Sequence, residues 1–301
     1  MKQKKLSIIE RAFEIKGFED IYNLLNQDFT ISGKARSTFK NYINCVAQVA
    51  LFFEVSPEKL SQKQINDFLF YCKNAHASPS ESFFKHVIYG LRAMYKLIDE
   101  NSISIHLPII KQNRSLPVVL NHQEVKQLIA SPKCLRKRLI IACLYGCGLR
   151  SYELCNLKLA HVDFMRKCVL ITKQKGKLDR YVPLGEMLSR GLQKYIQLYE
   201  PEEFLFNSGE INTEVAKPIT TGAIHRIIFK SKNNVKTSKK ITAHVLRHTY
   251  ATHLLESGLN IIALKELLGH ARIESTLIYL HVTDSGSSKK ISPLDKLYSA
   301  I

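Results

Sequence analysis

The chain has 301 residues, 45% of them hydrophobic, enough apolar material for about two domains with their own cores, which excludes disorder as the main state. Lys and Arg total 44 against 26 Asp and Glu, a net charge of +18 that implies a polyanionic partner, nucleic acid above all, and says nothing about catalysis. No run approaches the roughly 20 apolar residues of a membrane helix, and seven scattered cysteines without a CxxC pair predict a reduced cytoplasmic protein, not a disulfide framework.

The first half reads as helical throughout. Residues 1–30 begin basic, but acidic residues interrupt every apolar run, so no signal peptide is read there and one helix is expected. Residues 35–54 place Phe39, Tyr42, Ile43, Val46, Val49 and Ala50 at helical spacing. Residues 61–73 open on Ser61 and Gln64, a capping box, in which a side chain at each end caps the other's backbone N–H. Residues 78–100 open on Ser78-Pro79-Ser80-Glu81, a second capping box with Pro at the first helical position. Pro108 and Pro117 bracket a polar, basic stretch. The expected division is therefore a helical domain over 1–107, a linker over 108–117 and a second domain over 118–301. The second domain is the more basic, +13 (28 basic, 15 acidic) against +5 for residues 1–117 (16 and 11).

The second half mixes element types. Asn121 with Glu124 starts a helix. Residues 133–146 form an apolar helix that Gly146 and Gly148 stop. Residues 168–174 and 180–184 read as two strands joined by a turn at Lys175-Gly176-Lys177. Helices over 245–257 and 261–268 close on Gly258 and Gly269, and the tail after Pro293 has the spacing of a short amphipathic helix. The fold class is mainly α, a helical domain followed by a mixed α/β domain with a small antiparallel sheet.

Seven polar residues stand where a purely structural chain has no need of them: Arg150 after two glycines, Lys175 on the turn, His244, Arg247 and His248 near a helix start, His270 after Leu-Leu-Gly, and Tyr279 nine residues later. Taken singly, each is ordinary: a surface Arg, a solvated Lys, a capping His, a core Tyr. Together they meet a chemical need. Guanidinium pairs with phosphate oxygens through two hydrogen bonds, histidine moves protons near neutral pH, and a tyrosine hydroxyl can attack and form a covalent intermediate. No acidic cluster is available for magnesium, so the cations take the metal's part and no cofactor is expected.

ACLYGCGLRSYELCNLKLAHVD (residues 142–163) resembles the first box of the tyrosine recombinase (phage-integrase) family. HVLRHTYATHLLESGLNIIALKELLGHARIESTLIYLHV (244–282) resembles its second, and KQKGKLDRYVPLG (173–185) the hairpin between them. The resemblance spans about 35–282 and is nearest to Xer-type and simple mobile-element integrases. It implies a helical core-binding domain and a catalytic domain enclosing double-stranded DNA, and four protomers, or pairs with a paralogous recombinase, acting on two sites at the bacterial nucleoid. It also implies residue roles. Arg150 and Arg247 bind the scissile phosphate, Lys175 protonates the leaving 5′ oxygen, His244 serves as acid/base, His270 hydrogen-bonds the phosphate, Tyr279 attacks, and Glu153 supports Arg150. Two positions depart from the family pattern, Tyr152 in place of a small residue and QKG in place of GKG; the latter leaves Lys173 and Lys177 as weaker candidates for the acid.

Lys230, Lys232, Lys236, Lys239 and Lys240 crowd the stretch before the second box, a backbone-contact surface or else a solvated loop. By the same resemblance, Ser37, Thr38 and Lys40 begin a helix in or near a DNA groove. His244 and His248 have zinc-ligand spacing but lack the glutamate of H-E-x-x-H and a third ligand, so no metal is expected, and Cys143 and Cys147 read as core. The tail after Pro293 is expected to dock on a neighbouring subunit. The activity expected is integration, excision or transposition of a mobile element. The alternatives are Xer-type dimer resolution, type IB topoisomerase-like relaxation, a DNA-binding factor that does not cut, and a zinc hydrolase.

Overall fold

A computed structural model of the chain describes residues 6–74, 81–98, 108, 116–172, 179–208 and 217–280. Ser78, Lys175 with its turn and the tail after Pro293 lie outside these. Two compact units divide between Asn113 and Arg114.

The first unit is helical: α1 (Ile8–Ala12), α2 (Phe18–Ile31), α3 (Arg36–Phe53), α4 (Gln62–Asn74) and α5 (Glu81–Ile98). The single helix expected over 1–30 is two. Gly17 at φ +94° takes the left-handed conformation that only glycine adopts cheaply, and the chain re-enters helix at Phe18. The box at Ser61 forms as the sequence specifies, the Ser61 amide donating to Gln64 Oε1 and the Gln64 amide to Ser61 Oγ. Helix α3 is central, packed against α1, α2 and α5. Its buried face (Ile43, Val46, Val49) meets Phe18, Ile21, Leu25 and Leu91, each worth about 1.5–3 kcal/mol of transfer free energy.

The second unit holds α6 (His122–Ala130), α7 (Leu135–Gly146) and α8 (Ser151–Cys155). A three-stranded antiparallel sheet follows, β1 (Val162–Asp163), β2 (Cys168–Ile171) and β3 (Arg180–Pro183). Then come α9 (Glu186–Tyr199), α10 (Thr221–Lys232), α11 (Ala243–Glu256), α12 (Ile261–Leu268) and α13 (Glu274–Leu277). The two expected strands are shorter than read, and the two-residue β1 joins them, with Val162 opposite Val169 and Ile171 opposite Arg180. Helix α7 is the hub, packed against α6, α8, α9 and α11, and its Leu139, Ile140 and Leu144 anchor the main core. Cys143 and Cys147 are buried in that core, which pushes both thiols up, as packing residues require. A smaller apolar cluster joins α11 and α12 to Tyr279. Among the described residues no helix is long and apolar enough to cross a membrane.

Candidate active site

Three local devices set the site. Arg150 is the N-cap of α8, and Glu153 one turn on closes a box back to it, accepting from the Arg150 amide and from its Nη1, each at 2.8 Å. Thr242 caps α11 by accepting the Val245 amide, which aims the next turn, Arg247 and His248, inward while His244 stays exposed. Helix α12 ends on Gly269 at φ +60°, and that left-handed turn places His270 beside α11.

Arginines crowd one carboxylate. Arg180 on β3 grips Glu153 with both guanidinium ends, at 2.9 and 2.8 Å, and donates its Nε to the Leu267 carbonyl at 2.7 Å. Arg247 Nη1 lies 3.7 Å from the same carboxylate. Arg247 also donates to the carbonyls of Gly148 and Leu268, and its Nη2 is 3.3 Å from His270 Nε2. His270 Nδ1 in turn meets Thr276 Oγ1 at 2.9 Å. Gly148 is at φ +59°, and a Cβ there would overlap the Tyr250 ring, so glycine alone can present that carbonyl to Arg247.

The side chains of Arg180, Arg247 and Glu153 are 7%, 4% and 8% exposed, whereas that of Arg150 is 36% exposed. Three guanidiniums around one carboxylate leave a surplus of positive charge open to solvent at Arg150, the electrostatics of an anion site. Burial opposes the Glu153 charge, but the Arg180 hydrogen bonds and charge, with help from Arg150, overcome it and hold the carboxyl down at about 2. Burial, then the Arg150 charge, lowers Arg247 to about 10, still cationic at neutral pH. Burial, then Arg247, Arg150 and Arg180, lowers His270 to about 4, so its ring is neutral.

Tyr279 follows α13 with its ring buried and its hydroxyl 2.9 Å from His248 Nδ1. Burial raises its pKa, and the Arg247 and Arg150 charges pull it partly back, which puts the phenol within the field of the anion site. The structure therefore brings together Arg150, Glu153, Arg247, His270 and Tyr279. His244 stands one turn from His248 on α11, the two rings 6.4 Å apart. Lys173, Lys175 and Lys177 lie outside the described residues.

One residue of the cluster was missed in the sequence and another was left without a role. Arg180 carried a signal, since it alternates with Tyr181 and so shares the buried face of β3 with Val182, where a charge needs a partner. His248 was named with its neighbours on that helix and weighed for zinc with His244, but it was given no part in the chemistry.

The expected DNA contacts are spread over both units. Ser37 and Lys40 are exposed on the first turn of α3, with Thr38 half-buried between them. Lys230 and Lys232 lie on the last turn of α10 rather than in a loop, Lys236 and Lys240 are exposed beyond it, and Lys239 pairs with Glu124 at 2.8 Å. Lys230 also lines a hollow of about 500 Å³ together with Lys133, Arg136, Lys137 and Arg226, and no carboxylate is among its described lining residues.

The family model described as the phage integrase family matches residues 118–285, and that of the phage integrase N-terminal SAM-like domain matches 21–105. A tyrosine recombinase of Pseudothermotoga lettingae is 33% identical over 267 residues, 85% of this chain and 90% of the relative. A tyrosine recombinase XerA of Pyrococcus horikoshii is 32% identical over 255 residues, 84% of this chain and 86% of the relative. In structure, the chain is similar to the XerH site-specific recombinase bound to its difH substrate, with a TM-score of 0.68 at 19% identity over 99% of this chain and 90% of that one, which shows a shared fold.

Proposed function

Since the chain belongs to the phage integrase family of tyrosine recombinases, enzymes that cleave and rejoin DNA strands, we propose that it is a site-specific recombinase working through a 3′-phosphotyrosyl intermediate on Tyr279. The observation that carries this reading is the Glu153-centred cluster of Arg150, Arg180 and Arg247 with His270 alongside and the Tyr279 phenol in its field. Arg150 and Arg247 hold the non-bridging oxygens of the scissile phosphate and stabilise the charge that grows there. The Tyr279 oxygen bonds to phosphorus and the bond to the 5′ oxygen breaks. Lys175 supplies the proton that makes a free 5′ hydroxyl. A 5′ hydroxyl from the partner strand later reverses the step. The phosphodiester bond energy is kept in the adduct, so rejoining needs no ATP.

In this reading residues 1–107 form the core-binding domain, 108–117 the linker and 118–301 the catalytic domain with its exchange tail, and each domain binds double-stranded DNA in the cytoplasm. Four protomers, or pairs with a paralogous recombinase, act on two sites. The motif departures and lysine-rich composition favour a mobile element as the substrate. The relatives named XerA favour a second reading, dimer resolution. Recombination of plasmids carrying either the ends of an element or a chromosomal site separates the two. The chemistry is tested with Tyr279→Phe on a nicked suicide substrate. Loss of the covalent protein–DNA adduct with binding retained supports the reading, and an adduct on the variant refutes it.

A further inference from the structure

Accepting Tyr279 as the nucleophile leaves its phenolic proton without a destination. His244, to which the resemblance assigns acid/base work, is exposed on the first turn of α11. His248, four residues on, is half-buried, its ring centre 5.6 Å from that of Tyr279 and its Nδ1 2.9 Å from the phenolic oxygen.

We propose that His248 is the general base that removes the proton of Tyr279 as the phenolic oxygen attacks phosphorus. The O–H bond breaks toward His248 Nδ1, the O–P bond forms, and the P–O5′ bond breaks toward an oxygen that a separate acid protonates. In the rejoining step the imidazolium returns the same proton to the departing phenolate. No other reactant is required.

Three features of the site support this assignment. The hydrogen-bond distance lies within the reach that proton transfer needs before substrate arrives. The protonation states are matched. The charged and titratable groups around His248 are His244 and Arg247 on its own helix, His270 after α12 and Tyr279 after α13. Burial, then His244 and Arg247, keeps His248 neutral at pH 7, which leaves a lone pair free for the proton, while burial keeps the Tyr279 phenol protonated and so in need of a base. Finally, the imidazolium would form only as negative charge develops on the phosphorus oxygens, so the cation that costs most in the free enzyme is offset in the transition state.

The test is single-turnover adduct formation on a nicked suicide substrate from pH 6 to 9.5, comparing the full-length wild type with His248→Asn, His248→Ala and Tyr279→Phe, with non-covalent DNA affinity as the check on folding. Asparagine keeps a polar group at the phenol but cannot take its proton. Both His248 variants are expected to bind DNA as the wild type does and to form adduct about 10²-fold more slowly at pH 7. Their rates should climb about tenfold per pH unit as the phenol ionises unaided, and added imidazole should speed His248→Ala. A His248→Asn rate equal to wild type across the pH range overturns the proposal, as does a variant defect that neither pH nor imidazole relieves, which would mark a positioning role. An adduct on Tyr279→Phe instead overturns the assignment of the nucleophile itself.

Discussion

The protein carries positive charge in two arrangements, and the arginine cluster on α8, β3 and α11 contrasts with the lysine-rich stretch around α10. At the site, three arginines are locked to one carboxylate and to the carbonyls of Gly148, Leu267 and Leu268. Beyond α10, Lys236 and Lys240 end in solvent. In the proposed reaction a fixed guanidinium pays its ordering cost during folding and meets the phosphate already aimed, so it acts on the barrier. A solvated ammonium is screened within about 10 Å and acts on affinity through counterion release. Net charge alone cannot separate the two, whereas burial and partners can.

The largest effect that sharpens this contrast is expected from Arg247→Ala. Adduct formation should slow by about 10³-fold, while equilibrium DNA binding changes far less, as single-turnover kinetics beside a binding isotherm will report. Glu153→Gln strikes the support instead of the chemistry. It leaves buried guanidiniums without their carboxylate and should cost about 3–5 kcal/mol of stability in a denaturant melt. Gly148→Ala forces a Cβ into the Tyr250 ring at a left-handed position and should cost about 2–4 kcal/mol by the same measurement.

The buried cluster should also make the second unit acid-labile, with a sign that follows from its pKa shifts. His270 is lowered to about 4, so between pH 6.5 and 4 the unfolded chain binds a proton that the folded chain refuses, and stability falls as the pH falls. Glu153 is lowered to about 2 from an ordinary value of 4.5, and its contribution, about 3 kcal/mol, is present above pH 4.5 and lost on descending toward 2. Urea melts from pH 6.5 down to pH 4 should show a growing loss, reduced in His270→Gln. The smallest effects belong to the surface lysines. Lys236→Gln or Lys240→Gln should each lower the slope of log affinity against log salt by about 1, with the adduct rate at saturating DNA unchanged.

Much of this was legible in the sequence because it is local. Helices α3, α4, α11 and α12 declared themselves through apolar spacing, Ser61 with Gln64, and Gly269. Strand β1 did not, because two residues carry no periodicity and only pairing with β2 defines it. The break between α1 and α2 rests on the backbone angle of one glycine. At the site, the resemblance to the two boxes named the residues and the support of Arg150 by Glu153, but not the partners distant in sequence. Arg180 meets Glu153 across 27 residues and Lys239 meets Glu124 across 115. Lys239 shows the consequence, since five lysines that look alike in sequence are divided by packing into Lys239, which pairs with Glu124, Lys232, which is half-buried, and three that are exposed. His248 reaches Tyr279 only because α12 and α13 fold back onto α11.

The central claim is that one buried tyrosine beside the arginine cluster becomes bonded to DNA. Its most direct test is to trap the wild-type protein on a nicked suicide duplex, digest the complex, and map the DNA-linked peptide by mass spectrometry. The predicted result is a single adduct on Tyr279 joined to a 3′ phosphate, with the 5′ hydroxyl strand released. An adduct on another residue, or on a 5′ phosphate, would contradict the account.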